Sequence, residues 1–225
     1  MNKTLWAFGC SETFGSFLPD AIPKVNLDGS IDILPSSLAW PSLLAKHLGY
    51  ECKNLAQPGN SNKGIVQDII SCIDLIKPND IVCIQWTFVV RNNVYTTDGK
   101  NLRINSFPRD SNNKPIKTKS DGAKIMTRYE KFLSSIDYDK TYTEELSFFI
   151  DYINLKLPNE VYNFITFISS TIEKLENASF MSTKILSSNY IRNNYPKALD
   201  GVHTGQFGHE AIANHYCEII KRSKS

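Results

Sequence analysis

The sequence is short of the features that most quickly assign a class. No two cysteines form a C-x-x-C pair; the five stand singly at 10, 52, 72, 83 and 217, which excludes a zinc knuckle and a thioredoxin-type motif. Cys72 and Cys83 sit inside apolar runs, where a thiol behaves as a small hydrophobe, so reduced structural cysteines are expected. Neither sign of charge dominates: 25 basic against 23 acidic residues leave +2, too balanced for a protein held to nucleic-acid phosphates. No apolar run approaches the length that spans a bilayer. G-x-G-x-x-G and G-x-x-x-x-G-K are both absent, which leaves no phosphate-cradling loop. There is no internal repeat and no low-complexity segment. The opening Met-Asn-Lys-Thr-Leu-Trp turns polar too soon for a signal peptide, so a cytoplasmic or virion-associated location is expected. The 225 residues, 41% hydrophobic and 21% charged, suit a globular chain with a real core and exclude a disordered one.

What is present alternates. The apolar run 5–8 ends at Gly9 and fits a buried strand. A polar loop follows from Glu12 to about Pro35. Pro41 marks a helix start, Leu43, Leu44, His47 and Leu48 carry its stripe, and Gly49 stops it. Residues 51–56 form a second strand candidate, followed by a turn over 57–62. Ile65, Ile69, Ile70, Ile73 and Ile76 recur with helical period until Pro78. The continuous run 80–86 is what a strand covered on both faces requires. Strand, helix, strand, helix, strand predicts an α/β fold with a doubly wound parallel sheet. Ligands of such sheets bind beyond the carboxyl ends of the strands. That lines up Cys10 and Ser11, Gly59 and Asn60, and Trp86 and Thr87 along one edge.

The rest of the chain is less regular. Residues at about 88–126 are polar, with basic side chains gathered around 114–124, and are expected to form an irregular insertion or cap with solvated charges. Residues 127–177 read as two or three helices broken at Pro158, with Asn159 capping the last and Phe148, Phe149, Tyr152, Tyr162 and Ile165 among the core-facing positions. A fourth strand is expected at 178–186. A final helix is expected at 205–220, with Ala211, Ile212, Tyr216 and Ile219 inward. One domain, 1–225, is expected.

The chemistry is carried by the two ends of the chain. Ser11 follows a strand and a glycine, so a tight turn presents its hydroxyl to the ligand edge; alone, such a serine caps a turn. Asp200-Gly-Val-His203 sets a carboxylate three residues before an imidazole. In a turn, that spacing lets the aspartate hold Nδ1–H and leaves Nε2 to take a proton from a serine. Thr204 and Gly205 then open the last helix, placing His203 on a loop-to-helix junction. Acyl transfer also needs donors aimed at a developing oxyanion, and the backbone N–H groups of Ser11 and Gly59 are candidates. Glycine at 59 lets main chain approach a substrate with no Cβ in the way. His203, His209 and His215 are six apart, about 240° of helical turn at about 100° per residue, so they share no face and make no metal cluster. His209 is expected on the helix surface or supporting the site from behind. Glu144 and Glu145 read as solvated helix residues, which leaves no carboxylate pair for glycoside hydrolysis.

Gly9-Cys10-Ser11, the turn Asn54-Leu55-Ala56-Gln57-Pro58-Gly59, the strand ending at Trp86-Thr87 and Asp200-Gly-Val-His203 together resemble the ordered blocks of the SGNH (GDSL-type) hydrolase superfamily. The likeness covers the two ends of the chain and leaves its middle unmatched. It implies a flavodoxin-like three-layer α/β/α fold and ester hydrolysis through an acyl-enzyme, with no metal or organic cofactor. By the same likeness Ser11 is the nucleophile, His203 the general base, Asp200 its orienting partner and Gly59 an oxyanion donor. Two positions depart from the family pattern. Cys10 replaces an aspartate outside the chemical triad; it is not taken as the nucleophile, because neighbours on an extended segment point opposite ways. Thr87 replaces the oxyanion asparagine with a hydroxyl of shorter reach, and Asn60, Asn92 or Asn93 are alternative donors. Trp86 and Arg91 are the substrate-binding candidates, Arg91 suiting an anionic or sugar substrate. A strand ending in Trp-Thr with a nearby arginine is similar to divergent bacterial and phage members of the superfamily.

The expected function is a serine esterase acting on small acyl esters, acetyl groups on carbohydrate among them. The rivals are a non-catalytic carbohydrate-binding or structural module of phage type, and an acyltransferase to a sugar hydroxyl. Retention of Ser11, Asp200 and His203 in register weighs against a scaffold, which needs none of them. The expected partner is a small-molecule or glycan ester, with no nucleic acid and no membrane span.

Overall fold

Residue parity along the first strand sets up the layers. The computed structural model describes residues 3–21, 24–25, 31–32, 34–87, 91–95, 101–104, 138–157, 159–165 and 194–224. In chain order its elements are β1 (Thr4–Phe8), α1 (Ser11–Phe14), β2 (Lys24–Val25), β3 (Ile31–Asp32), α2 (Trp40–Leu48), β4 (Glu51–Asn54), α3 (Asn62–Cys72), β5 (Ile81–Trp86), β6 (Asn92–Tyr95), β7 (Asn101–Ile104), α4 (Tyr138–Lys156), β8 (Glu160–Ile165) and α5 (Gln206–Ser223). The central sheet runs β4-β1-β5-β8 and is parallel throughout. The chain steps from β1 to one neighbour and then returns past it to the other. This is the doubly wound order, and its crevice lies at the carboxyl ends of β1 and β5.

Successive side chains on a strand point to opposite faces. Leu5, Ala7, Ile81 and Cys83 therefore meet Trp40 and Leu44 of α2 and Ile212 and Tyr216 of α5. Trp6, Phe8, Val82, Ile84 and Trp86 meet Ile65 and Ile69 of α3 and Ile150 and Ile153 of α4. The result is the expected three-layer α/β/α sandwich. Tyr216 stacks flat on Phe164 with centroids 3.5 Å apart and meets Trp40 edge-on at 5.1 Å. Burial pushes the Tyr216 phenol well above its usual range.

Local signals explain the helix ends. Pro41 lies in the first turn of α2, where a missing N–H removes no helical bond. Ala39 offers that helix no side-chain cap. Instead His209 Nδ1, from α5, accepts the Trp40 N–H at 3.2 Å and satisfies one of the orphan donors of the α2 start. Ser61 caps α3, its Oγ accepting the Gly64 N–H at 3.1 Å. At the amino ends of the strands, buried Asp80 accepts from Thr4 N–H, Trp6 Nε1–H and Lys77 N–H at 2.9, 2.9 and 3.0 Å. Desolvation pushes its carboxyl up, but the three donors outweigh it and hold the group below its ordinary value.

Several expectations are corrected. The segment after Ser11 opens as the one-turn helix α1, not as loop. Residues 160–165 are not helical; they form β8, the fourth parallel strand among the described residues, and the strand expected at 178–186 lies outside them. Asn159 therefore caps no helix, and its amide donates to the Lys77 and Asp80 carbonyls at 2.5 and 3.1 Å. Residues 92–104 include the antiparallel β6–β7 hairpin, with β6 against α3, where irregular chain was expected. His47 and Phe148 are exposed, and of the two alternatives for His209 the surface one falls, since the side chain is buried. Glu144 and Glu145 are exposed on α4, as expected. The cysteines are all free, four buried and Cys52 half-buried; burial raises the Cys52 thiol to about 11. No helix among the described residues is long and apolar enough to cross a membrane.

Candidate active site

Three turns and one loop meet at the carboxyl edge of the sheet. β1 delivers Gly9, Cys10 and Ser11. A Cβ on Gly9 would lie 2.1 Å from Thr13 Oγ1 and 3.1 Å from the Gln85 carbonyl oxygen, so only glycine lets α1 sit this close to β5. Thr13 Oγ1 donates to Gln85 Oε1 at 2.6 Å and ties α1 to that strand. Ser11 is the first residue of α1 and is buried, and its backbone N–H has no acceptor among the described residues.

Beyond β4, the ladder continues as the Leu55 N–H and Gln57 N–H donate to the Ala7 and Gly9 carbonyls at 2.9 and 3.2 Å. Asn54 links this turn to α1: its Nδ2 donates to the Thr13 carbonyl at 2.8 Å, and its Oδ1 accepts from Ala56 N–H at 3.1 Å. Gly59 has φ +75°, a left-handed conformation that glycine adopts without steric cost. Its N–H, like that of Ser11, has no acceptor among the described residues. Asp68 of α3 grips both flanks of the turn, accepting from Gln57 Nε2 at 3.0 Å and Asn60 Nδ2 at 2.7 Å. Asn60, expected as an oxyanion donor, thus commits one amide hydrogen to Asp68.

Thr87 follows β5 and is buried. Asn62 pins it through both backbone groups, accepting its N–H at 2.8 Å and donating to its carbonyl at 3.2 Å. Arg91 Nη1 donates to Thr87 Oγ1 at 2.9 Å, which leaves the hydroxyl hydrogen of Thr87 to be donated elsewhere. Trp86 does not reach the ligand edge. It is fully buried with Ile84 and Val82 on the α3–α4 side, and its indole N–H donates to Asn163 Oδ1 at 3.0 Å. Asn92 and Asn93 lie on β6, and their side chains are outside the described residues.

The loop 198–204 brings Asp200 and His203 together. Asp200 Oδ2 lies 2.6 Å from His203 Nδ1, and Oδ1 accepts the Val202 and His203 N–H groups at 3.0 Å each. Desolvation raises the Asp200 carboxyl, but the hydrogen bonds from His203 and the two backbone amides more than offset it, and the group lies below its ordinary value. An ionised Asp200 makes Nδ1 the protonated nitrogen and leaves Nε2 as the acceptor. Phe17, a non-glycine residue at φ +64°, holds its ring at 5.2 Å from the His203 ring, and its carbonyl accepts Leu199 N–H at 3.2 Å. Behind the pair, burial pushes His209 below its usual value against the opposing field of Glu12, so it stays neutral. No hydrogen bond joins Ser11 Oγ to His203 among the described residues. The two stretches nevertheless meet, because Thr204 Oγ1 and N–H donate to Glu12 Oε1 at 2.5 and 3.3 Å.

Sequence reasoning did not single out Glu12, Asn62 or Asp68. Each acts by gripping main chain or a flanking amide, and no local pattern marks such a role. The strand parity of β5 was the available signal for Trp86, since it puts residue 86 on the same face as 82 and 84.

Sheet order and layers are those of a doubly wound α/β/α fold, and solved structures with a similar fold include carbohydrate esterases and a G-D-S-L lipolytic protein. No protein-family model matches the sequence, and no curated protein does. Among solved structures, the chain is similar to an acetyl xylan esterase from the rumen bacterium Butyrivibrio proteoclasticus, with TM-score 0.51 and 11% identity over 98% of this chain and 64% of that one. It is also similar to a carbohydrate esterase family 2 enzyme with a carbohydrate-binding domain from Corynascus thermopiles (Myceliophthora fergusii), with TM-score 0.51 and 14% identity over 98% and 66%. A member of the lipolytic G-D-S-L family from Veillonella parvula matches end to end, with TM-score 0.50 and 12% identity over 98% and 99%. The chain spans about two thirds of the length of the two esterases.

Proposed function

We propose that the chain is a serine esterase that hydrolyses small acyl esters, with acetyl groups on carbohydrate as the substrate class. The observation that carries this is the Asp200–His203 pair at 2.6 Å, held against the stretch that contains Ser11 by the Thr204–Glu12 contact. In the proposed reaction Ser11 Oγ attacks the ester carbonyl carbon while His203 Nε2 takes its proton. The carbonyl oxygen becomes an oxyanion that accepts from the N–H groups of Ser11 and Gly59, which have no acceptor among the described residues, with the Thr87 hydroxyl as third donor. The tetrahedral intermediate expels the alcohol, which leaves with the proton from His203, and Ser11 keeps the acyl group. Water then attacks by the same route, returning the proton to Ser11 and releasing the acid. The Ser11–His203 hydrogen bond belongs to the substrate complex, since such bonds often tighten only there. Arg91, beside Thr87, is the proposed contact for a sugar or anionic part of the substrate. Likeness to an acetyl xylan esterase and a carbohydrate esterase supports the substrate class.

The test is turnover of p-nitrophenyl acetate by the wild type and by Ser11→Ala. Loss of turnover in the variant is expected; equal rates remove Ser11 from the mechanism. Threonine at 87 favours the non-catalytic module as a second reading. A fluorophosphonate probe separates the two, with Ser11-dependent labelling expected of the enzyme and none of a binding module.

A further inference from the structure

Glu12 sits beside the proposed nucleophile and is only 3% exposed. A buried carboxyl is costly unless specific partners offset its desolvation. Those partners come from the far end of the chain. Thr204 Oγ1 donates to Oε1 at 2.5 Å and Thr204 N–H donates to the same oxygen at 3.3 Å. The second oxygen, Oε2, is buried and has no hydrogen bond among the described residues. This carboxyl therefore spends its bonding on one residue 192 positions away. An apolar side chain would fill the same space in α1 and offer Thr204 no acceptor.

The neighbours of these two residues give the contact its meaning. Glu12 is one covalent step from Ser11, and Thr204 is one step from His203. The His203 loop is otherwise fastened to its own surroundings, through the Lys197–Thr204 bridge and the Ala198 N–H to His203 carbonyl bond at 2.9 Å. Across to the amino-terminal stretch it has the Leu199 N–H to Phe17 carbonyl bond and the Phe17 ring beside His203. Those two contacts restrain the outer side of the loop, while Glu12 restrains the residue that follows the imidazole.

We propose that Glu12 is a positioning residue of the hydrolytic site, gripping Thr204 so that His203 Nε2 is set within reach of Ser11 Oγ. The assignment rests on the esterase proposal above. Filling the core would appear as lost stability with intact chemistry. Positioning appears in kcat, because a displacement of about 1 Å at a reacting group costs on the order of 10²-fold.

The experiment measures kcat and KM on p-nitrophenyl acetate, with thermal melts alongside, for the wild type, Ser11→Ala, Glu12→Ala, Glu12→Gln, Thr204→Val and Thr204→Ser. Glu12→Ala is expected to lower kcat by roughly 10²-fold with KM little changed. Glu12→Gln keeps an acceptor oxygen for Thr204 and is expected to retain far more kcat than the alanine variant. Thr204→Val preserves shape and removes the hydroxyl, lowering kcat by about tenfold, and Thr204→Ser restores it. Should Glu12→Ala fail to fold, the valine and serine pair decides. Wild-type turnover that does not depend on Ser11 overturns the esterase assignment and the positioning role together. Turnover that needs Ser11 but has equal kcat in the wild type, Glu12→Ala and Thr204→Val overturns the positioning role alone, as does a rise in KM at unchanged kcat.

Discussion

Replacing Asp200 by asparagine separates the chemistry of the acid–base pair from its architecture. Oδ1 of Asp200 serves two backbone amides at 3.0 Å each, whereas Oδ2 serves only the His203 ring at 2.6 Å. In the variant, the amide oxygen must occupy the Oδ1 place, because two N–H donors point at it. The amide nitrogen then faces Nδ1, and two donors cannot share one hydrogen bond. The imidazole responds by moving its proton to Nε2, the nitrogen that receives the proton of Ser11 in the proposed reaction. The corresponding change in the Ser-His-Asp template costs roughly 10⁴-fold in kcat, which is about 5.4 kcal/mol at 1.36 kcal/mol per decade. Stability falls far less, because both backbone bonds survive and the pair is partly exposed; about 1.5 kcal/mol is expected, the low end for a bond to a charged group. Steady-state hydrolysis of p-nitrophenyl acetate and a thermal melt on the same preparations measure the two effects. The wild type has a further signature: the Asp200 carboxyl lies below its unfolded value of about 3.9. Its contribution to stability is therefore complete above that pH and is lost as pH falls through the lower folded value. A variant that keeps Ser11-dependent turnover within tenfold of wild type would show that His203 does not rely on Asp200 for its tautomer.

Two further outcomes test the scaffold. Gly9→Ala places a Cβ 2.1 Å from Thr13 Oγ1, so α1 must shift; a loss of about 1–3 kcal/mol is expected in urea denaturation, and an unchanged midpoint contradicts the close approach. Asp80→Asn exchanges a buried carboxylate with three donors for an amide that can accept at one end only, and a loss of about 1.5–3 kcal/mol is expected at pH 7. Because the Asp80 carboxyl is held low, the gap between wild type and variant should close as pH falls below about 3.9, and a gap constant down to pH 2 would contradict the assigned cause.

The layers were legible because strands buried on both faces are mostly apolar, as β1 is from Leu5 to Phe8 and β5 is from Ile81 to Ile84, and because Pro41 and Gly49 bracket α2. The fourth strand was not. Tyr162 and Ile165 fit a helical stripe as readily as a strand, and six residues after a proline are too few to separate the two periods. A single turn such as α1 has no period at all. At the site, Asp200 and His203 were readable because their partnership is local, three residues apart. Glu12 was unreadable because its partner is 192 residues away and is chosen by the fold. Trp86 was placed by its position at a strand end, where alternation along β5 decides which way it faces.

The meeting of Glu12 and Thr204 also has a consequence for biosynthesis. A ribosome adds Thr204 192 residues after Glu12. At 5–20 residues per second that is roughly 10–40 s. On the proposed mechanism the nascent polypeptide carries, throughout that interval, a hydroxyl with no base to activate it, so it has no esterase activity until the loop before α5 has docked.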